Sequence, residues 1–227
     1  MIANRFKGLA QQVMAPLARI IGKTPITPNA LTVTGFILNT VVAAVLATGH
    51  QFIGGLLVLF AGLFDMLDGA LARTTGQSTT FGAFLDSTLD RYSEAVLLFG
   101  VLVVAAQTQD TQVILLVFAV MVGSVMVSYV RARAEGLGLR CEVGLLARPE
   151  RVILLAVGLI IGQLLPVLWL LAIFTNITTV QRILHVRHIT QDRGPKPVEG
   201  KPTEDQKTPE ARPPAASARR PAARLID

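Results

Sequence analysis

The 227-residue chain lacks several features on which small secreted or soluble proteins depend. It has a single cysteine, Cys141, which excludes an internal disulfide. Residues 1–24 contain no apolar run long enough for the core of a signal peptide. We find no internal repeat and no segment with the composition of a soluble domain. The fold must therefore be sought in the apolar part of the sequence.

Apolar residues are what the chain has in abundance. Hydrophobic residues make up 52% of it, the mean hydropathy is +0.55, and apolar runs of about 20 residues recur. These values predict an all-α, polytopic membrane protein. We expect six transmembrane helices, at 31–48, 52–71, 81–106, 111–130, 149–165 and 166–177, with Pro166 marking the last turn.

The two ends of the chain differ from this apolar middle. Residues 1–24 place apolar side chains opposite basic and amide side chains at helical spacing, which predicts an amphipathic helix on an anionic membrane surface. From residue 191 onward the sequence holds seven of the twelve prolines and almost no large apolar residues, which predicts a disordered cytoplasmic tail. We therefore divide the chain into 1–24, a six-helix transmembrane domain at 25–190, and a tail at 191–227.

Basic residues are confined to one side of the predicted bundle. That side holds Arg5, Lys7, Arg19, Lys23, Arg73, Arg131, Arg133, Arg140, Arg148, Arg151, Arg182 and Arg187. The opposite loops hold only His50, Gln51, Gln107, Gln109, Asp110 and the turn at Pro166. The positive-inside rule then predicts a cell-membrane protein with both termini and the basic face in the cytoplasm. The net charge of +6 thus indicates a membrane surface, and not nucleic acid, as the partner.

Four carboxylates interrupt the apolar sequence between residues 65 and 90. Asp65 and Asp68 are three residues apart near the end of the second predicted helix. Asp86 and Asp90 are four residues apart near the start of the third, so each pair shares a helix face. Because a short polar link joins these helices, we expect the acid-bearing ends to meet at the cytoplasmic face. An ionised group at membrane depth costs roughly 2.5–3.5 kcal/mol, so the four acids need compensation.

The ordinary explanation is that these acids cap helix ends or pair with Arg73 and Arg91. Two arginines cannot neutralise four carboxylates, whereas two divalent cations can. Carboxylate oxygens are suitable ligands for Mg²⁺ or Mn²⁺, and a pair of such ions stabilises both oxygens of an in-line phosphoryl displacement. An ion or metal transporter is the alternative, although its acids usually lie near the midplane of broken helices.

The whole stretch also resembles a family signature. Written with its spacing, it is Asp65-x2-Asp68-Gly69-x2-Ala72-Arg73-x8-Gly82-x3-Asp86-x3-Asp90. It resembles, at all eight fixed positions, the DxxDGxxARx8GxxxDxxxD signature of the CDP-alcohol phosphotransferases, integral membrane enzymes that make phospholipids. The resemblance implies CDP-diacylglycerol or a related CDP-lipid as donor, an alcohol as acceptor and CMP as leaving group. A non-catalytic scaffold with a degenerate site would lack one or more aspartates, and none is missing.

The resemblance implies a role for each position of the motif. Asp65, Asp68 and Asp86 are expected metal ligands, and Asp90 is expected to be both a ligand and the general base. The segment PNALTVTG also resembles the PNxLTxxG that opens the family's first helix, where it helps to seat the cytidine nucleotide; Asn29 is equally a good N-cap. The expected CDP-lipid pocket comprises Asn29, Thr32, Asp65, Gly69, Ala72, Arg73 and Gly82.

Arginines at the same helix ends are candidates for binding the acceptor. They are Arg131, Arg148, Arg151 and Arg182, whose guanidinium forks suit phosphate, although basic residues also belong in cytoplasmic loops on topological grounds. The segments SYVRARAEGLGL, GLLARPER and VQRILHVR resemble the bacterial phosphatidylinositol-phosphate synthase branch of the family. That branch typically has a lysine at the position of Arg131 and a glutamate at that of Ala147.

The resemblance to this branch implies that inositol phosphate is the acceptor. The segment LDSTLDRYSEA departs from the LDPxADK typical of phosphatidylglycerophosphate synthases, which leaves glycerol 3-phosphate as the alternative acceptor. Many members of the family are homodimers, and the resemblance implies a homodimer here.

Overall fold

The computed structural model describes residues 16–191, and all regular secondary structure in that range is helical. The helices are α1 (16–21), α2 (Pro28–Ala47), α3 (Gln51–Thr75), α4 (Thr80–Gln107), α5 (Thr111–Gly136), α6 (Arg148–Ile160) and α7 (Leu164–Gln191). The prediction of an all-α protein is confirmed over this range.

Four helices of the described range, namely α2, α3, α5 and α7, are long and apolar enough to cross a membrane. Helix α4 has 28 residues, but Asp86, Asp90, Arg91 and Glu94 lie within its first 15. Helix α6 has only 13 residues, or about 20 Å at 1.5 Å per residue, whereas the hydrocarbon core is about 30 Å thick. The composition of a membrane protein is confirmed, and the count of six crossings stays a prediction.

The prediction for the last two helices was wrong in its boundaries. Helix α6 ends at Ile160, five residues earlier than expected, and the turn is made by Gly162 in the left-handed conformation (φ 69°). Pro166 lies in the first turn of α7, where a proline removes no hydrogen bond. Helix α7 also continues beyond residue 177 to Gln191, through polar sequence that follows the apolar run.

The two ends of the chain lie wholly or mainly outside the described residues, so the predicted tail and the interfacial position of residues 1–24 remain predictions. Only the end of the first helix is described. There Ala18 is buried in a small cluster with Leu31 of α2 and with Leu67, Ala70 and Leu71 of α3. Helix α1 therefore packs beside the acid-bearing end of α3.

Small residues allow close approach where the helices cross. Gly100 of α4 lies against the backbone of Ala43 in α2. Gly55 of α3 lies against α6, since a Cβ at Gly55 would stand 2.9 Å from the carbonyl oxygen of Ala156. Packing of this kind is the usual basis of helix association in lipid, and here it brings α2 and α6 against the two acid-bearing helices.

We expect Gly100→Ala to destabilise the fold. A Cβ at this position would lie 3.0 Å from Cα of Ala43 and closer still to its carbonyl oxygen, so α2 and α4 must move apart. Overpacking of this kind costs about 1–3 kcal/mol, and thermal unfolding in detergent should show a midpoint several degrees lower. Gly62→Ala in α3 is the matched control, because no atom lies within 4 Å of its added Cβ. Equal midpoints for the two variants would contradict the packing argument.

Candidate active site

The acid-bearing ends of α3 and α4 meet at Arg148, the first residue of α6. Its Nη2 atom lies 2.6 Å from Oδ2 of Asp65, and its Nη1 atom lies 2.6 Å from Oδ1 of Asp90. One planar guanidinium therefore joins carboxylates from two helices to a third helix. The structure brings Asp65 and Asp90 together, as their positions in the sequence predict.

The simple explanation of the acids, pairing with arginines, holds in part, but with different partners. Arg148 takes the place expected for Arg73, and Arg91 lies 3.9 Å from Asp90. Arg73 is exposed, and its side chain lies over Gly69. A Cβ added to Gly69 would be 3.3 Å from the Nη1 atom of Arg73. These contacts leave Asp65 and Asp90 about four-fifths buried, at 18% and 19% side-chain exposure.

Asp68 is the most deeply buried of the four aspartates, with 5% of its surface exposed. Its Oδ1 atom accepts a hydrogen bond of 2.5 Å from the backbone N–H of Gly69, and the hydroxyl of Thr32 also lies within hydrogen-bonding reach. Thr32 is in the second turn of α2, so the start of that helix adjoins the acid-bearing end of α3. The structure thus places Thr32 and Gly69 beside Asp68.

Two glycines bring α2 into contact with the site. A Cβ at Gly35 would stand 2.9 Å from Oδ1 of Asp65, and a Cβ at Gly82 would stand 2.9 Å from Oδ1 of Asn29. Asn29 therefore lies beside the first turn of α4, although Thr27 is the residue that caps α2. Gly35 is the last residue of the PNALTVTG segment, and its contact with Asp65 is a role that sequence analysis did not assign.

The carboxylate oxygens are ligands of the type that hard divalent cations prefer. Asp86 lies one turn before Asp90 and interacts electrostatically with Asp65 and Arg148. Within residues 16–191, no three acidic, histidine or cysteine side chains are arranged as a cation cage. The Arg148 guanidinium instead lies between Asp65 and Asp90, which means that both carboxylates face a position where positive charge is stabilised. Oxygen-only ligands at such a position suit Mg²⁺ or Mn²⁺.

The predicted acceptor arginines divide into two groups. Arg148 contacts the aspartates, as described above. Arg182 belongs to α7, and its side chain is buried in the protein. Its Nε atom donates to the carbonyl of Val143 at 2.8 Å, and its Nη1 atom donates to the carbonyl of Val127. Its positive charge is close enough to those of Arg131 and Arg151 for the three arginines to repel one another.

The other two arginines have carboxylate partners. Arg131 is half-exposed and pairs with Glu135 at 2.8 Å on the surface of α5. Arg151 is buried and forms two hydrogen bonds of 2.7 Å with Glu94. Sequence analysis did not single out Glu94. The available signal was its position four residues after Asp90, directly before the apolar part of the helix.

Residues 25–191 match the CDP-alcohol phosphatidyltransferase family, and the chain belongs to that family of enzymes. The phosphatidylinositol phosphate synthase of Mycobacteroides abscessus is 38% identical over 185 residues, which cover 78% of this chain and 84% of that relative. The archaetidylinositol phosphate synthase of Pyrococcus horikoshii is 37% identical over 181 residues, covering 78% and 93%.

Solved structures of one relative agree with this assignment. The crystal structure of Mycobacterium tuberculosis phosphatidylinositol phosphate synthase with CDP-DAG bound superposes on this chain with a TM-score of 0.73, and the two sequences are 36% identical. It covers 77% of this chain and 94% of that one. A second structure of the same protein, in complex with manganese and citrate, has the same TM-score and identity and covers 77% of this chain and 88% of that one.

We expect Gly35→Ala to impair the site with little effect on stability. The added Cβ would displace the Asp65 carboxylate, and a misplacement of about 1 Å at a reacting centre costs up to about a hundredfold in rate. The concentration of Mn²⁺ needed for half-maximal activity should rise about tenfold, and electron paramagnetic resonance of bound Mn²⁺ gives an independent measurement. Gly62→Ala again serves as the control. Unchanged Mn²⁺ affinity would show that Gly35 does not limit the position of Asp65.

Proposed function

We propose that this chain transfers the phosphatidyl group of CDP-diacylglycerol to inositol phosphate in a metal-dependent reaction that releases CMP. The observation that carries the proposal is the complete set of four aspartates, two of which reach one point from separate helices. Family membership supports the reaction type, and the relatives named as phosphatidylinositol phosphate synthases support the acceptor. The CDP-DAG complex of one relative supports the donor.

The proposed reaction assigns a separate task to Asp90. The acceptor hydroxyl gives its proton to the Asp90 carboxylate, and the hydroxyl oxygen bonds to the lipid-bearing phosphorus. The bond from that phosphorus to the oxygen of CMP then breaks, and CMP leaves. Asp90 is better placed for this proton transfer than Asp68, because its side chain is 19% exposed whereas Asp68 is buried and bound to the Gly69 N–H. Two divalent cations held by the four aspartates would neutralise charge on the attacking and leaving oxygens.

The proposed pocket for CDP-diacylglycerol lies along α2, α3 and the start of α4. It comprises Asn29, Thr32, Asp65, Gly69, Ala72, Arg73 and Gly82. The contact between Asn29 and Gly82 supports this assignment, since it joins the two segments that resemble nucleotide-binding sequence. The exposed position of Arg73 supports a contact with phosphate at the surface of the protein.

The proposed acceptor site is formed by Arg131, Arg148, Arg151 and Arg182. Arg131, Arg148 and Arg151 have carboxylate partners, whereas the hydrogen bonds of Arg182 within residues 16–191 are with backbone carbonyls, so an uncompensated positive charge beside Arg131 and Arg151 supports a phosphate site. Arg131 is the one whose guanidinium is half-exposed, and its pairing with Glu135 is weak because both partners are solvated. Arg131 is therefore the arginine most readily available to an incoming phosphate.

We further propose that the enzyme is a multi-pass protein of the cell membrane with its active site on the cytoplasmic side. The four apolar helices support the membrane location, and the clustering of basic residues at one face supports the orientation. We also infer that it is a homodimer, an inference that comes from family resemblance alone.

Replacement of Asp68 by Asn should abolish CMP release in Mg²⁺ or Mn²⁺, a loss of at least about a hundredfold, because one anionic ligand is removed. Asp90→Asn should also lose turnover but should bind CDP-diacylglycerol nearly normally. Asp110→Asn is the matched control. Asp110 caps α5 through a hydrogen bond to the N–H of Val113, and Asn caps equally well. Full activity of the Asp68→Asn enzyme would contradict the metal-dependent mechanism.

Replacement of Arg131 by Gln should weaken binding of the acceptor alone. Loss of one charged hydrogen bond, typically about 1.5–3 kcal/mol, should raise the KM for inositol phosphate roughly ten- to a hundredfold and leave the KM for CDP-diacylglycerol unchanged. Free inositol should not distinguish the variant from the wild type. Arg133→Gln, two residues along α5 and on another face, is the control. Equal losses with both alcohols, or greater activity with glycerol 3-phosphate, would contradict the proposed acceptor.

A further inference from the structure

Two ion pairs connect α4 to the first turn of α6. Asp90 and Glu94 are four residues apart on α4, and Arg148 and Arg151 are three residues apart on α6. Both spacings place their residues on one face of a helix, so Asp90 faces Arg148 and Glu94 faces Arg151. The first pair lies in the candidate active site, and the second lies behind it in the protein interior.

The interior pair, Glu94 with Arg151, is a bidentate ion pair. Nε and Nη2 of Arg151 donate to the two carboxylate oxygens of Glu94 at 2.7 Å each, and the Arg151 side chain is only 2% exposed. A buried ion pair is weak evidence of stability, because apolar residues of similar size often stabilise a fold at least as well. A bidentate ion pair does, however, fix the orientation of the helix that carries the arginine.

Within residues 16–191, the first turn of α6 has few other interactions that could hold it in place, so the ion pair with Glu94 matters there. Ala147 supplies no capping hydrogen bond, and two arginines against a single acid, Glu150, lie at the end of the helix where the dipole is also positive. Mutual repulsion therefore tends to separate Arg148 and Arg151 from the bundle. Glu94 offsets this repulsion from the interior, whereas Asp65 and Asp90 offset it from the active site only while they have no other partner.

We propose that Glu94 is a positioning residue, which holds Arg151 so that Arg148 stays directed at the active site when Asp65 and Asp90 engage other ligands. This inference deepens the proposed function and depends on it, since Arg148 is then available to the acceptor phosphate. Arg151, whose Nε and Nη2 atoms are occupied by Glu94, then also contributes to the proposed acceptor site through the placement of Arg148.

A double-mutant cycle tests the proposal. Glu94→Gln, Arg148→Gln and the double variant are compared with the wild type for KM and kcat on CDP-diacylglycerol and inositol phosphate. Glu94→Gln alone should raise the KM for inositol phosphate about tenfold and change the KM for CDP-diacylglycerol less than about twofold. In the Arg148→Gln background the same substitution should add less than about twofold, because it acts through Arg148.

The matched control is Glu150→Gln, which also removes one carboxylate charge but from the first turn of α6, the turn that carries Arg148 and Arg151. One carboxylate oxygen of Glu150 is buried without a hydrogen-bond partner in the described residues, so this variant should leave the acceptor KM unchanged. If Glu94→Gln does not fold, Glu94→Asp keeps the charge and loses one methylene, and it should raise the acceptor KM about threefold in the wild-type background only.

The outcomes separate this proposal from the proposed function. If the effects of Glu94 and Arg148 multiply, or if Glu94→Gln lowers kcat equally for every substrate with both KM values unchanged, Glu94 is merely structural and the proposal is overturned. A wild type that uses glycerol 3-phosphate in place of inositol phosphate overturns only the choice of acceptor, and the same cycle is then measured with glycerol 3-phosphate.

Discussion

The structure depends on one electrostatic constraint, which is the need to hold four carboxylates in apolar surroundings. Each ionised carboxylate at membrane depth costs roughly 2.5–3.5 kcal/mol unless opposite charge is close. The protein meets this need by placing the first residue of α6, Arg148, between Asp65 and Asp90. Gly55 then lets α6 pack closely on α3, and Gly35 leaves room for the Asp65 carboxylate beside α2. Much of the helix packing near the site therefore follows from where charge must lie.

The features that sequence predicted are those encoded locally. The spacing of the four aspartates places each pair on one helix face, and the short polar link at residues 76–79 makes their ends adjoin. Apolar run length placed the starts of α2 to α5 within three residues, because each of these helices begins next to a capping residue or follows a short turn. It ended α3 four residues and α5 six residues too early, because both helices continue into polar sequence. The eight-position motif identified the family before any contact was known.

What sequence did not predict depends on contacts between distant residues or on backbone conformation. The partner of Asp65 lies 83 positions away and that of Glu94 lies 57 positions away, and no local pattern encodes either pairing. The turn after α6 was assigned to Pro166, but Gly162 makes it, because a proline in the first turn of a helix is harmless. Likewise, the contacts of Arg182 with the carbonyls of Val127 and Val143 follow from tertiary packing.

The shortness of α6 has a consequence for the depth of the reaction. A helix of 13 residues is about 10 Å shorter than the hydrocarbon thickness, so when its far end reaches the opposite headgroups its first residue lies well below the near ones. In the proposed membrane orientation, Arg148 and the aspartates around it would therefore lie below the near headgroups. Under the proposed function, the lipid donor and the water-soluble acceptor would meet at that depth, and not at the outer surface of the membrane.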